Sequence, residues 1–88
     1  MKGPEGGERG MVMNEKVPAA REVMARGYEQ AADELEIAVQ HLRTAARHLH
    51  EQNVPRGCAH AFAAYGHMRG AQRHIDDNAI LHAAKSIP

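Results

Sequence analysis

Residues 51–57 of this chain read Glu51-Gln52-Asn53-Val54-Pro55-Arg56-Gly57. Asn53 can take the left-handed backbone conformation that closes a helix. Pro55 disfavours continuation of a helix through Val54, because its ring restricts the preceding backbone, and it can itself lie in the first turn of a new helix. The stretch therefore predicts the end of one helix, a turn over 53–55 and the start of a second helix.

Helix-forming residues fill the chain on both sides of this turn. Ala, Arg, Glu, Met, Gln and Leu dominate over 18–52, which predicts one long helix, or two helices separated at Gly27. The same residue types return over 55–85, and no stretch alternates in the way that strands do. The sequence therefore predicts an all-α fold in which residues 17–88 form a two-helix antiparallel hairpin.

Composition limits how such a hairpin can be stabilised. The chain has 88 residues, of which 43% are apolar but only 3% aromatic. Sixteen of the residues are alanine. Its single cysteine excludes an intrachain disulfide framework. Packing of small side chains therefore has to hold the fold together.

Charge and hydropathy exclude several classes of partner. Eleven basic residues balance eleven acidic ones, which argues against binding to nucleic acid or anionic membranes through bulk charge. No apolar run approaches the roughly 20 residues that a membrane helix needs. Residues 1–16 are glycine-rich without a signal-like apolar stretch, and we expect a flexible arm there. These features predict a cytoplasmic protein without a membrane partner.

A heptad pattern indicates how the two helices pack. Position a holds large apolar residues, whereas position d holds mainly alanine, which lets antiparallel helices approach closely. Position e adds further apolar residues and widens the stripe. The residues predicted to form the core and a dimer contact are Tyr28, Leu35, Val39, Leu42, Leu49, Tyr65, Met68 and Ile75.

This stripe is too thin to stabilise an isolated hairpin. A fully buried Leu or Ile contributes about 1.5 to 3 kcal/mol, whereas ordering costs about 1.5 kcal/mol per residue. The economical arrangement is a homodimer, in which two hairpins related by a twofold axis form a four-helix bundle. Another protein that covers the same stripe is the alternative partner.

Seven histidines in so short a chain are the most unusual feature of the composition. Five of them recur at intervals of seven residues, and one glutamate extends the series. These six residues all fall at heptad position g: Glu34, His41, His48, His60, His67 and His74. Since the g edges of antiparallel helices are neighbours, the spacing predicts three cross-helix pairs along one flank: His48 with His60, His41 with His67, and Glu34 with His74.

Such pairs could serve three purposes. Neutral imidazoles can hydrogen-bond to each other and set the helix register. They can also bind a transition metal such as Zn, Cu, Ni or Fe. Histidines seven apart on one helix are separated by about 10.5 Å, so each level offers only two ligands, and a closed site needs a dimer mate, water or substrate. Finally, protonation of the imidazoles below pH about 6.5 would make the helices repel each other.

Two arginine pairs raise the possibility of RNA binding by the outer faces of a hairpin dimer. Arg43 and Arg47 lie four apart, as do Arg69 and Arg73. Interleaved acidic residues and the scarcity of aromatic residues argue against nucleic acid, and a solvated face is the simpler interpretation.

The chain contains no arrangement of residues typical of nucleophilic catalysis. Cys58 and His60 are two residues apart and do not share a helix face, which argues against a catalytic dyad. Cys58 is instead expected to be a packed thiol. The sequence thus predicts a non-enzymatic, self-associating hairpin that acts as a structural or interaction module. A metal-binding bundle is the alternative, and an RNA-binding dimer is the second alternative.

Overall fold

The computed structural model describes residues 19–88, which form two long helices. Helix α1 spans Ala20–His50 and helix α2 spans Val54–Lys85. They pack against each other in an antiparallel hairpin, so the predicted all-α hairpin is confirmed. Helix α1 continues without a break through Gly27. The predicted arm, residues 1–16, lies outside the described residues.

The turn closes differently from the sequence-based expectation. Gln52, with a φ of 66°, takes the left-handed conformation, whereas Asn53 has a φ of −99°. The Asn53 side chain instead caps α2, because its Oδ1 accepts a hydrogen bond of 3.3 Å from the Arg56 backbone N–H. The Asn53 N–H donates to the His48 carbonyl at 2.7 Å, which joins the end of α1 to the start of α2.

The contact between the helices uses heptad positions d and g, not a and d. All the buried residues occupy position d: Ala31, Ala38, Ala45, Gly57, Ala64, Ala71 and Asn78. The predicted histidine series at position g is half-buried beside them. Because alanine and glycine let the backbones come close, position g also comes into contact and position a is turned away from the partner helix.

A buried asparagine fixes the open end of the hairpin. Asn78 donates from Nδ2 to the backbone carbonyl of Met24 at 2.8 Å, and only 3% of this residue is exposed. A Cβ atom placed on Gly27 would lie 2.8 Å from Asn78 Oδ1. The absence of a side chain at Gly27 therefore makes room for the amide, and this polar contact sets the register of the two helices.

Two glycines of α2 should respond oppositely to substitution by alanine. A Cβ on Gly66 would meet nothing within 4 Å, so Gly66→Ala should raise the free energy of unfolding by about 1 kcal/mol through helix propensity. A Cβ on Gly57 would lie 2.8 Å from the Leu49 side chain and 3.2 Å from the Ala45 carbonyl oxygen. Gly57→Ala should therefore lower the same free energy, by up to about 2 kcal/mol.

Urea denaturation followed by circular dichroism measures both effects. Equal stabilisation by the two substitutions would contradict the close approach of the helices at Gly57.

Candidate functional site

The six residues at position g form a continuous series in the helix–helix contact, which we call the histidine ladder: Glu34, His41, His48, His60, His67 and His74. The imidazoles of His41 and His67 are stacked, with ring centroids 5.4 Å apart and an interplanar angle of 14°. Those of His48 and His60 are also stacked, at 5.4 Å and 18°. The structure thus brings the rings of these two predicted pairs side by side.

The hydrogen bonds of the ladder run between offset partners. His41 Nδ1 and His60 Nδ1 lie 3.0 Å apart, so one imidazole donates and the other accepts. His67 Nδ1 lies 2.6 Å from Glu34 Oε1, a hydrogen bond that becomes an ion pair when His67 is protonated. Glu34 therefore bonds to His67 and not to the predicted His74. The reason is that side chains of one helix fit between those of the other, so each has two neighbours across the contact.

One buried nitrogen of the ladder has no hydrogen-bond partner within residues 19–88. His48 Nδ1 is buried, and its nearest acidic atom, Glu51 Oε1, lies 3.9 Å away. An unpaired buried nitrogen disfavours the form of the ring that carries a proton there. The unpaired nitrogen thus lies at the turn end of the ladder, whereas the carboxylate of Glu34 lies towards the other end.

The pKa of His60 is lowered from the usual 6.5, first by burial and then by the neighbouring His41 and His48. Arg47 and Arg56 lower it further. Since the unfolded chain takes up the proton more readily than the folded hairpin, protonation of this residue favours unfolding. The contribution of His60 to stability is present above pH 6.5 and is lost as the pH falls towards the lowered pKa.

We expect the free energy of unfolding to decrease between pH 7.5 and pH 5.5, and His60→Gln to reduce this decrease. Urea denaturation at several pH values measures the effect. His82→Gln is the matched control, because His82 is exposed and outside the ladder, and this variant should keep the wild-type dependence on pH. An unchanged pH dependence in His60→Gln would contradict the role given to His60.

Most of the large apolar residues lie on one side of the hairpin. Positions a and e flank the helix contact, and in antiparallel helices these flanks point to the same side. The apolar face consists of Tyr28, Leu35, Val39, Leu42, Leu49, Tyr65, Met68 and Ile75. These residues are 38–55% exposed, so they do not form the core of the hairpin as the sequence predicted. They form an uncovered surface instead.

The histidine ladder opens on the other side of the hairpin. An open groove of about 460 Å³ is lined there by Glu34, His67 and His74, together with Gln30, Asp33 and Ile37. Position g borders this polar side, whereas position d, with its alanines, lies between the ladder and the apolar face. Solvent and small ions can therefore reach the part of the ladder formed by Glu34, His67 and His74 even when the apolar face is covered.

The four arginines predicted as an RNA surface do not converge. All four are exposed. Arg43 and Arg47 lie in the half of the hairpin near the turn, whereas Arg69 and Arg73 lie further from it, on either side of Gly70, which approaches Glu34. Arg69 and Arg73 line a groove that also contains Asp76, which weakens its positive potential. RNA binding stays a prediction from sequence alone.

Two further findings were not anticipated from the sequence. Cys58 is exposed, and the expectation of a packed thiol is wrong. Asn78 was not recognised as part of the core, although its position seven residues after Ala71 was a usable signal. An asparagine at a d position is uncommon in a core unless it is hydrogen-bonded, which is how the structure holds it.

No protein-family model, curated protein or solved structure matches this chain. Within residues 19–88, neither helix is long and apolar enough to cross a membrane. The apolar face and the histidine ladder are therefore the two features from which a function can be argued.

Proposed function

We propose that this protein is a non-enzymatic structural or interaction module that self-associates through its apolar face. Two hairpins would pack face to face as a homodimer and form a four-helix bundle. The observation that carries the proposal is the exposure of every large residue of that face in the single hairpin.

The energetic argument begins with how little the hairpin buries. The buried apolar residues among 19–88 are five alanines, and no large side chain is fully buried. Each buried alanine methyl contributes only about 0.8 kcal/mol, whereas ordering each residue costs about 1.5 kcal/mol. Covering the eight residues of the apolar face would remove far more apolar area from water. Association therefore supplies the stabilisation that the single hairpin lacks.

The chemistry of the face favours a second copy as the partner. Between Tyr28 and Ile75, positions a and e of both helices contain no charged residue, and Gln72 is the main polar interruption. Two such uncharged surfaces can meet without burying an unpaired charge. Closed twofold dimers are also the commonest soluble oligomers.

Sedimentation equilibrium of the full chain tests the proposal, combined with thermal denaturation at several protein concentrations. We expect the mass of a dimer and a melting temperature that rises with concentration, because dimerisation stabilises the folded state by mass action. A well-folded monomer at micromolar concentration would overturn the proposal. A monomer without helical structure would also overturn the proposal, and would indicate that a different protein covers the apolar face.

A second candidate function, metal binding, is supported by the 3.0 Å separation of His41 Nδ1 and His60 Nδ1. Zinc bound at 2.0–2.1 Å places neighbouring tetrahedral ligands about 3.3 Å apart, so a small opening of this pair would admit the ion. Among residues 19–88, no group of three His, Cys, Asp or Glu side chains converges in this way. Because the ladder opens away from the apolar face, water or an external ligand would complete the coordination, not the dimer mate.

Melting temperatures in the presence of Zn, Cu or Ni test this second candidate. Bound metal should raise the melting temperature, by an amount that corresponds to about 2.7 kcal/mol when the metal is at 100 times its Kd. His41→Ala should abolish the rise, and His82→Ala should leave it unchanged. An equal rise in melting temperature in the wild type and in His41→Ala would exclude the histidine ladder as the metal site.

A further inference from the structure

We infer that the second copy binds in the opposite direction, so that α1 packs on α1 and α2 packs on α2 of the partner subunit. The twofold axis would cross the helices near Val39 and Tyr65, and the two turns would lie at opposite ends of the bundle. This inference rests on the proposed self-association and specifies its geometry.

Only two twofold arrangements bring the apolar faces of two hairpins together. An axis parallel to the helices places α1 on α2 of the partner subunit, with both turns at the same end. An axis perpendicular to the helices places each helix on its own copy, with the turns at opposite ends. Both arrangements are closed, so the pattern of residues on the face has to decide between them.

The apolar face is centred at the same level on both helices. On α1 its large residues extend from Tyr28 to Leu49, with Val39 near the middle. On α2 the exposed Val54, also at position a, continues this stripe, so that its large residues extend from Val54 to Ile75, with Tyr65 near the middle. The approaches of Gly70 to Glu34 and of Gly57 to Leu49 place Val39 and Tyr65 at about the same level. One perpendicular axis can therefore place the large residues of each helix against those of the same helix in the partner subunit.

Rotation about that axis pairs large residues along the whole contact. Leu35 would meet Leu42 of the partner subunit, and Tyr28 would meet Leu49 of the partner subunit. On the other helix, Val54 would meet Ile75 of the partner subunit. The parallel axis also gives apolar pairs, such as Leu35 with Met68 of the partner subunit, so apolar contacts alone do not discriminate.

Charge at the rim of the face favours the perpendicular axis. Position b of α1 borders the face and reads Glu29, Glu36, Arg43 and His50, all exposed. Antiparallel pairing of α1 with its copy places Glu36 against Arg43 and Glu29 against His50. The parallel axis would also give Glu36 a basic neighbour, Arg69, but it would place Glu29 against the equally acidic Asp76, which opposes association. The acidic half of α1 is thus complementary to the basic half of an antiparallel second copy of α1.

Charge reversal at exposed positions tests this geometry without disturbing the hairpin. Glu36→Arg and Arg43→Glu should each weaken the dimer about tenfold, since each change affects two symmetric rim pairs. The double variant should return the Kd close to the wild-type value. If Arg69→Glu restores the dimer affinity of the Glu36→Arg variant and Arg43→Glu does not, the parallel axis is correct and our inference is overturned.

Disulfide cross-linking gives an independent test in a Cys58→Ala background. Val39→Cys should form a covalent dimer on mild oxidation, because the residue lies next to the axis and faces its own copy. Ile37→Cys, on the opposite side of α1, is the control and should not form a covalent dimer. Suppose that the wild type is a dimer, but that Leu35→Cys together with Met68→Cys links the chains and Val39→Cys does not. This result would overturn the geometry alone. A wild-type monomer would overturn the proposed self-association as well.

Discussion

Leu42→Glu is expected to raise the Kd of the dimer by about 10³-fold, and at micromolar concentration to leave largely unfolded chains. Leu42 is 47% exposed in the single hairpin, so about half of its surface remains to be buried by association. The substitution removes this burial and forces a carboxylate into an apolar contact, at a cost of about 2 kcal/mol per copy. The twofold symmetry doubles the loss to about 4 kcal/mol, which gives the stated change in Kd.

Ile37→Glu is the matched control for this experiment. Ile37 is 40% exposed, close to the value for Leu42, and lies on the same helix, but on the side where the ladder opens. Sedimentation equilibrium and circular dichroism should find this variant dimeric and helical. Equal dissociation of the two variants would show that exposure, not the apolar face, determines the response.

Ala64→Leu is expected to lower the free energy of unfolding by about 3 kcal/mol and the melting temperature by about 15 °C. Ala64 is 0% exposed and lies in the contact between α1 and α2. A larger side chain there has no space to occupy, so it has to separate the helices or distort α2. Separation would also break the 3.0 Å hydrogen bond between His41 and His60.

Ala59→Leu gives the comparison, because Ala59 is exposed on the outer side of the same helix. Both substitutions add the same atoms and have the same effect on helix propensity. Thermal denaturation should find Ala59→Leu within about 0.5 kcal/mol of the wild type, as is usual for surface positions. If Ala64→Leu were tolerated equally well, the two helices could not be in close contact at this position.

The histidine ladder shows how far the spacing of residues could predict the site. A seven-residue interval places His41 and His48 on one edge of α1, and the antiparallel turn brings His60 and His67 of α2 beside them. The spacing could not determine which partner each imidazole bonds to, because interdigitation leaves two candidates for every ring. The pairing of Glu34 with His67 at 2.6 Å depended on the axial offset between the helices.

The sequence by itself determined the two helices, the position of the turn between them, the edge on which the histidines lie and the uncharged stripe of large residues. These features depend on local propensity and on periodicity along one helix, and both can be read from neighbouring residues. Only the tertiary structure decided that the alanines and histidines form the contact while Leu35 and Leu42 stay outside it. That choice depends on the distance between the helix backbones, which the small residues Gly57, Ala64 and Ala71 allow to be short.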